Sequence, residues 1–227
     1  MLTKGGMNAN INNFFLVVDD FLNEETVEEL YRSLIKEDFR AFFALKKDLN
    51  GGVKPPTQRG LINDVIHKTW MDKLSFLSGE VTGFEVWTNF MHGDNTLDLH
   101  IDCDEDHQSK TGLIRTPLYT SVLYLGPSSH LTGGELALGL QGHEEFEHLQ
   151  DLERRCDPEY FQTEVIRKDD ANWMKIPYKR NRLIVFDPSY PHQVLSIKKG
   201  TTEKSPRVGL TMAAWDREIK IMQGKEY

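Results

Sequence analysis

His100-Ile101-Asp102 places an imidazole and a carboxylate two residues apart. On a strand, residues i and i+2 project from one face, so the pair converges on one point while Ile101 turns to the other side. Imidazole with carboxylate is a mixed nitrogen and oxygen ligand set that suits Fe(II). Alone, the tripeptide reads better as a surface polar pair beside the acidic run Asp102, Asp104, Glu105 and Asp106. Ninety residues later, His192 follows the turn Pro188-Ser189-Tyr190-Pro191 and opens a strand-like stretch. A rigid turn there can present the imidazole into a barrel mouth. With His100 and Asp102 it would complete a two-histidine, one-carboxylate triad with three metal positions open. Fifteen residues beyond, Arg207 begins the apolar run to Trp215. Burying a guanidinium costs free energy unless an anion pairs with it, and its planar fork suits a carboxylate held bidentately. Thr211 shares the parity of Arg207 and adds a hydroxyl. Read singly, His192 is more often a satisfied surface or core histidine than a ligand, and Arg207 reads better as a strand-end arginine that reaches water.

The elements that must position these groups are mostly strands. Phe14–Val18 reads as a short strand. Asn23 then caps a helix whose first turn holds Glu24 and Glu25, and Val27, Leu30, Tyr31 and Leu34 recur at helical spacing to about residue 36. Residues 47–60, rich in Gly and Pro, read as a loop and 64–79 as a second helix. From there the texture is β-branched and aromatic, broken by Gly, Pro, Asn or Asp: Phe84–Met91, Leu97–Cys103, Leu118–Leu125, Glu135–Leu140, Arg182–Asp187, Gln193–Lys198 and Arg207–Trp215 are each strand-like. Strands after one or two helices predict a sandwich or barrel with a helical layer on one side. The charge-dense residues 141–178 break the pattern and read as a partly helical insertion, either a substrate lid or a solvated decoration.

Taken together, these elements resemble the Fe(II)- and 2-oxoglutarate-dependent dioxygenases, in particular the prolyl 4-hydroxylase-like branch. Phe14–Phe21 with its helix looks like the family's opening strand and helix. Tyr119–Leu125 followed by Gly133-Gly134-Glu135-Leu136 looks like its strand, turn and strand after the His-x-Asp. Arg182–Val194 looks like the strand that carries the distal histidine, and Arg207–Trp215 like the one that grips the far carboxylate of 2-oxoglutarate. The order and spacing of four elements is more specific than any one of them. The resemblance implies a mostly β chain with flanking helices around a double-stranded β-helix (jelly-roll, cupin-like) core, as one oxygenase domain over 1–227 with residues 1–12 frayed. It implies Fe(II) on His100, Asp102 and His192, no catalytic side chain beyond those ligands, and 2-oxoglutarate on Arg207 and Thr211 with Tyr119 or Tyr124. Parity does not choose between the two tyrosines. O2 is the co-reactant, succinate and CO2 are released, and an amino acid, peptide or related small molecule is hydroxylated. The carboxylate at Asp102 favours hydroxylation over halogenation. Where the branch often has a tyrosine nine residues before the first ligand, this chain has Met91, with Asn89 and Trp87 on the same side.

Composition narrows the rest. The 227 residues carry 27 Lys and Arg against 35 Asp and Glu, a formal net charge of −8, and mean hydropathy is −0.49. Such an acidic chain is ill suited to sequence-independent nucleic-acid binding. No apolar run is long enough for a membrane span, and Met1–Gly6 lacks the apolar segment of a secretory signal. Two cysteines, Cys103 and Cys156, make no disulfide framework, so a cytoplasmic setting is expected. His143 and His148 fit no HExxH spacing and would lie on different helix faces. His92, His107 and His130 border the expected mouth, and Lys198, Lys199 and Lys204 sit in a polar turn as rivals of Arg207. The competing readings are a cupin-like metalloenzyme without 2-oxoglutarate and a non-catalytic β-sandwich binding module.

Overall fold

The computed structural model describes residues 15–36, 39–45, 57–92, 96–127, 131–142, 145–200, 202 and 205–221. The expectations for 1–12, 47–56, His130, His143 and Lys204 fall outside them.

Strand β12 (Arg207–Trp215) is buried along its whole length, and its period-2 alternation explains the architecture. Val208, Leu210, Met212 and Ala214 face a helical layer and belong to the main core. Arg207, Gly209 and Thr211 face the opposite way, into a cavity. The neighbouring strands divide alike. In β3 (Gly83–Met91), Phe84 and Val86 join the main core while Trp87 and Asn89 line the cavity. In β5 (Tyr119–Tyr124), Leu123 joins the core while Thr120, Val122 and Tyr124 line the cavity. With β1 (Phe15–Val18), β9 (Leu183–Phe186) and β2 (Arg40–Ala44) they form an antiparallel six-stranded sheet of order β1-β9-β5-β12-β3-β2.

Helices cover its outer face. In α1 (Glu24–Leu34) the Asn23 side chain accepts from Thr26 N at 2.8 Å, and Val27, Leu30 and Leu34 are buried. The next helix, α2 (Gln58–Ile66), starts earlier than the sequence pattern predicts. Thr57 caps it by accepting from Gly60 N, and it runs on as wider π-type turns over His67–Lys73. Residues 58–60, read as loop because of Gly60 and the prolines before it, are therefore helical.

A second, four-stranded sheet faces the first across the cavity, in the order β4-β10-β7-β8. Its members are β4 (Leu97–His100), β10 (His192–Val194), β7 (Leu136–Gly139) and β8 (Trp173–Ile176). A short ribbon pairs β6 (Thr132–Gly133) with β11 (Ile197–Lys199). The expected strand Gln193–Lys198 is thus two strands, because the chain leaves the β7 ladder after Val194 and pairs next with Gly133. Glycine is required there. At φ +84°, a Cβ on Gly133 would lie 2.2 Å from the Ser196 carbonyl oxygen. Residues 141–178, where described, are helical first and end in a strand. They form α3 (Phe146–Arg155), a turn α4 (Pro158–Tyr160) that widens into π-type helix over Phe161–Arg167, and then β8 itself. Phe146, Leu149, Phe161, Ile166 and Trp173 pack with Leu99, Ile101, Ala137 and Leu195, on the face of the small sheet turned away from the cavity. Among the described residues, no helix is long and apolar enough to cross a membrane.

One residue ties the turn between β1 and α1 to the segment that leads into β9. Asn181, at φ +62°, is 5% exposed. Its side chain accepts from Leu22 N at 2.9 Å and donates to the Leu22 carbonyl at 2.7 Å. Asn181→Ala removes both bonds and puts a residue without side-chain compensation in the left-handed region. We expect a loss of about 3 kcal/mol, read as a melting temperature lower by roughly 6–12 °C. A shift within about 2 °C would contradict that role.

Candidate metal centre and anion pocket

His192 and His100 are cross-strand partners in the β10–β4 ladder, and their rings lie 4.2 Å apart between centroids. The turn before His192 is held by Ser189 N to the Asp187 carboxylate at 2.9 Å and by Tyr190 N to the Asp187 carbonyl at 3.2 Å. Just after β4, Asp102 turns its Oδ1 toward both rings, 3.7 Å from the Nε2 atom of His100 and of His192. The three ligand-type atoms lie within 4.8 Å of one another, and among the described residues no other group of acidic, histidine or cysteine side chains meets that condition.

The ring orientations are fixed from behind. Nδ1 of His100 lies 2.7 Å from the Asp98 carbonyl, and Nδ1 of His192 lies 2.9 Å from the Tyr190 carbonyl. A carbonyl oxygen only accepts, so each Nδ1 donates to it, and Nε2 is the ring nitrogen turned toward Asp102. Burial, reinforced by the neighbouring His100, lowers the His192 pKa to about 4, against the pull of Asp102. The ring is neutral at physiological pH, the state a metal ligand needs. Phe186 meets it edge-on at 5.0 Å. Sequence parity misses one partner of Asp102. Thr120 Oγ donates to Asp102 Oδ2 at 2.7 Å, and Thr120 is fully buried.

Arg207 lies at another part of the same cavity wall. It is 1% exposed. Its guanidinium stacks on Tyr124 at 4.6 Å and Tyr178 at 4.9 Å, and one terminal nitrogen donates to Met91 Sδ at 3.1 Å. Among the described residues no carboxylate pairs with it, and its Nε has no partner. The Tyr124 hydroxyl is buried beside this guanidinium and its own proton has no acceptor among the described residues, whereas Tyr178 spends its hydroxyl on the Gly126 carbonyl at 2.7 Å. Burial raises the Tyr124 pKa more than Arg207 lowers it, so the phenol keeps its proton. Thr211 Oγ accepts from Asn89 Nδ2 at 3.2 Å, which leaves its own proton free to donate. These donors without acceptors are what an anion would satisfy.

Other expected residues fall elsewhere. Tyr119 has the opposite parity to Tyr124 and packs on Trp70 in the main core, centroids 6.1 Å apart, so it is not a cavity residue. Trp87 lines the cavity, while Trp173 and Trp215 are core. Cys103 turns to Gln108 Oε1 at 3.3 Å, and burial raises its thiol to about 11, leaving it protonated. Lys198, Lys199 and His148 are exposed. The sequence marks Asn89 only as a strand neighbour of Met91 and gives no sign of Thr120 or Tyr178. Their bonds join residues 18 to 122 positions apart, and no local pattern marks such partners.

No family model and no curated protein sequence matches the chain. Solved structures do match. A prolyl-4-hydroxylase from Pseudomonas putida is similar with a TM-score of 0.54 at 16% identity, over 91% of this chain and 94% of that one. A 2OG-Fe(II) oxygenase family member from Burkholderia pseudomallei gives 0.53 at 12%, over 96% and 94%. HygX from Streptomyces hygroscopicus, with iron bound, gives 0.56 at 14%, over 90% and 82%. At such identities the likeness carries the fold: this chain has the double-stranded β-helix of the 2OG-Fe(II) oxygenases, as the resemblance in its sequence implied.

Proposed function

We propose that the protein is an Fe(II)- and 2-oxoglutarate-dependent hydroxylase of an amino acid, a peptide or a related small molecule, with residues 1–227 forming one oxygenase domain. The observation that carries this reading is the buried, unpaired Arg207 guanidinium in the same cavity as the His100, Asp102 and His192 cluster. A cupin-like metalloenzyme without 2-oxoglutarate leaves that charge without a purpose, and a binding module leaves the cluster without one.

The donor set fits the metal. Two imidazoles and one carboxylate form the two-histidine, one-carboxylate arrangement that suits non-haem Fe(II) and leaves positions for further ligands. His100, Asp102 and His192 would hold the ion. Arg207 would take the far carboxylate of 2-oxoglutarate in its planar fork, with Tyr124 and Thr211 donating to it. When bound, iron and 2-oxoglutarate supply the oxidation: O2 gives one oxygen atom to the substrate and one to succinate, and CO2 leaves. Leu97, Val122, Leu136 and Val194 wall the cavity with apolar surface that excludes water. Half-buried Trp87 offers an aromatic face to substrate.

Tyr124→Phe keeps the ring under the guanidinium and removes only the hydroxyl. The account expects 2-oxoglutarate to bind roughly tenfold more weakly with metal affinity unchanged, measured by titration in the absence of oxygen. Equal affinity would remove Tyr124 from the pocket's role. The function itself is tested with Fe(II), 2-oxoglutarate and air against amino-acid and peptide libraries, following succinate and a mass gain of one oxygen atom. Neither product with any substrate, together with no 2-oxoglutarate binding, would refute the reading.

A further inference from the structure

Asp102 has two oxygens, and they have different surroundings. Oδ1 faces both imidazoles at 3.7 Å, while Oδ2 accepts the Thr120 hydroxyl at 2.7 Å. Thr120 lies on β5, opposite Phe186 on one side and Ala213 on the other, so the ladders fix its backbone. Its side chain is fully buried and the carboxylate nearly so. A β-branched side chain has few rotamers, so the hydroxyl is held in place.

We infer that Thr120 is a positioning residue for the metal centre: its hydroxyl occupies Asp102 Oδ2 and restricts this carboxylate to one ligating oxygen, Oδ1. The inference rests on the metal reading above and adds to it. A carboxylate free to turn can bind an ion through both oxygens, and the second oxygen then fills a position that a chelating cosubstrate needs. Partners of this kind behind a ligand typically change metal affinity by about 10- to 100-fold. A purely structural role, which only satisfies a buried oxygen, would change stability and leave the coordination untouched.

The test uses the full chain with Co(II) alone as probe, under nitrogen, reading affinity and the visible d–d spectrum. Thr120→Val keeps the shape and loses the donor. Thr120→Ser keeps the donor. The valine variant should bind Co(II) about 10-fold or more weakly, with a spectrum changed in intensity, and the serine variant should restore both. Thr120→Cys, a weak donor, should fall between them and serves if the valine variant does not fold. Wild-type affinity and spectrum in folded Thr120→Val, or in Thr120→Cys where valine fails, would overturn the role of Thr120 alone. If wild type and His192→Ala both fail to bind Co(II), the metal reading itself falls, and the role of Thr120 falls with it.

Discussion

Replacing Arg207 by methionine should cost the protein its 2-oxoglutarate and little else. The guanidinium is fully buried, stacked on two tyrosines, and has no carboxylate partner among the described residues. Removing one side of a buried charge pair costs several kcal/mol, because the other charge is left desolvated. Cosubstrate affinity should fall roughly 100- to 1,000-fold. Metal affinity should hold, since Arg207 touches neither imidazole nor Asp102. Stability without ligand should not fall in parallel, because methionine fills similar volume without a buried unpaired charge. Calorimetric titration of 2-oxoglutarate into the metal-loaded variant checks the first expectation, and a thermal melt the last. Wild-type cosubstrate affinity in this variant would remove the anion pocket from the account.

Asp102→Asn should have the complementary effect. The side chain keeps its size, and its amide oxygen can still accept from Thr120, but the negative charge is gone. Metal affinity should drop at least about 100-fold, more than loss of a partner behind the ligand brings, and succinate formation should fall to background. A folded Asp102→Asn protein that binds Fe(II) as tightly as wild type would show that the cluster is not the metal centre.

The sequence announces these residues unevenly, for physical reasons. Arg207–Trp215 is read to its observed ends because a strand buried on both faces is apolar throughout, and Arg207 then stands out as the one charge. His100, Asp102, His192 and Arg207 are suggested by residue type and order, but only the cross-strand register explains why the two histidines meet. Tyr119 and Tyr124 lie five residues apart, so they face opposite sides of β5, and a sequence without known neighbours does not say which side holds the cavity. Tyr124 is the one of the two that lines the cavity. Trp173–Ile176 escapes notice because four residues in a charge-dense stretch carry too little periodicity. Arg40–Ala44, with its two alanines, lacks the β-branched residues that mark a strand. Thr120 and Asn89 act through hydrogen bonds made at distances of 18 and 122 residues along the chain, which no local pattern encodes.

One ion on His100, Asp102 and His192 and one dicarboxylate on Arg207 would share a single cavity. The most direct test is to load the protein with Fe(II) under nitrogen, add 2-oxoglutarate, and record the visible spectrum. A weak charge-transfer band should appear, saturate with cosubstrate and be missing in Asp102→Asn. No band at any 2-oxoglutarate concentration, in protein shown to hold iron, would contradict that arrangement.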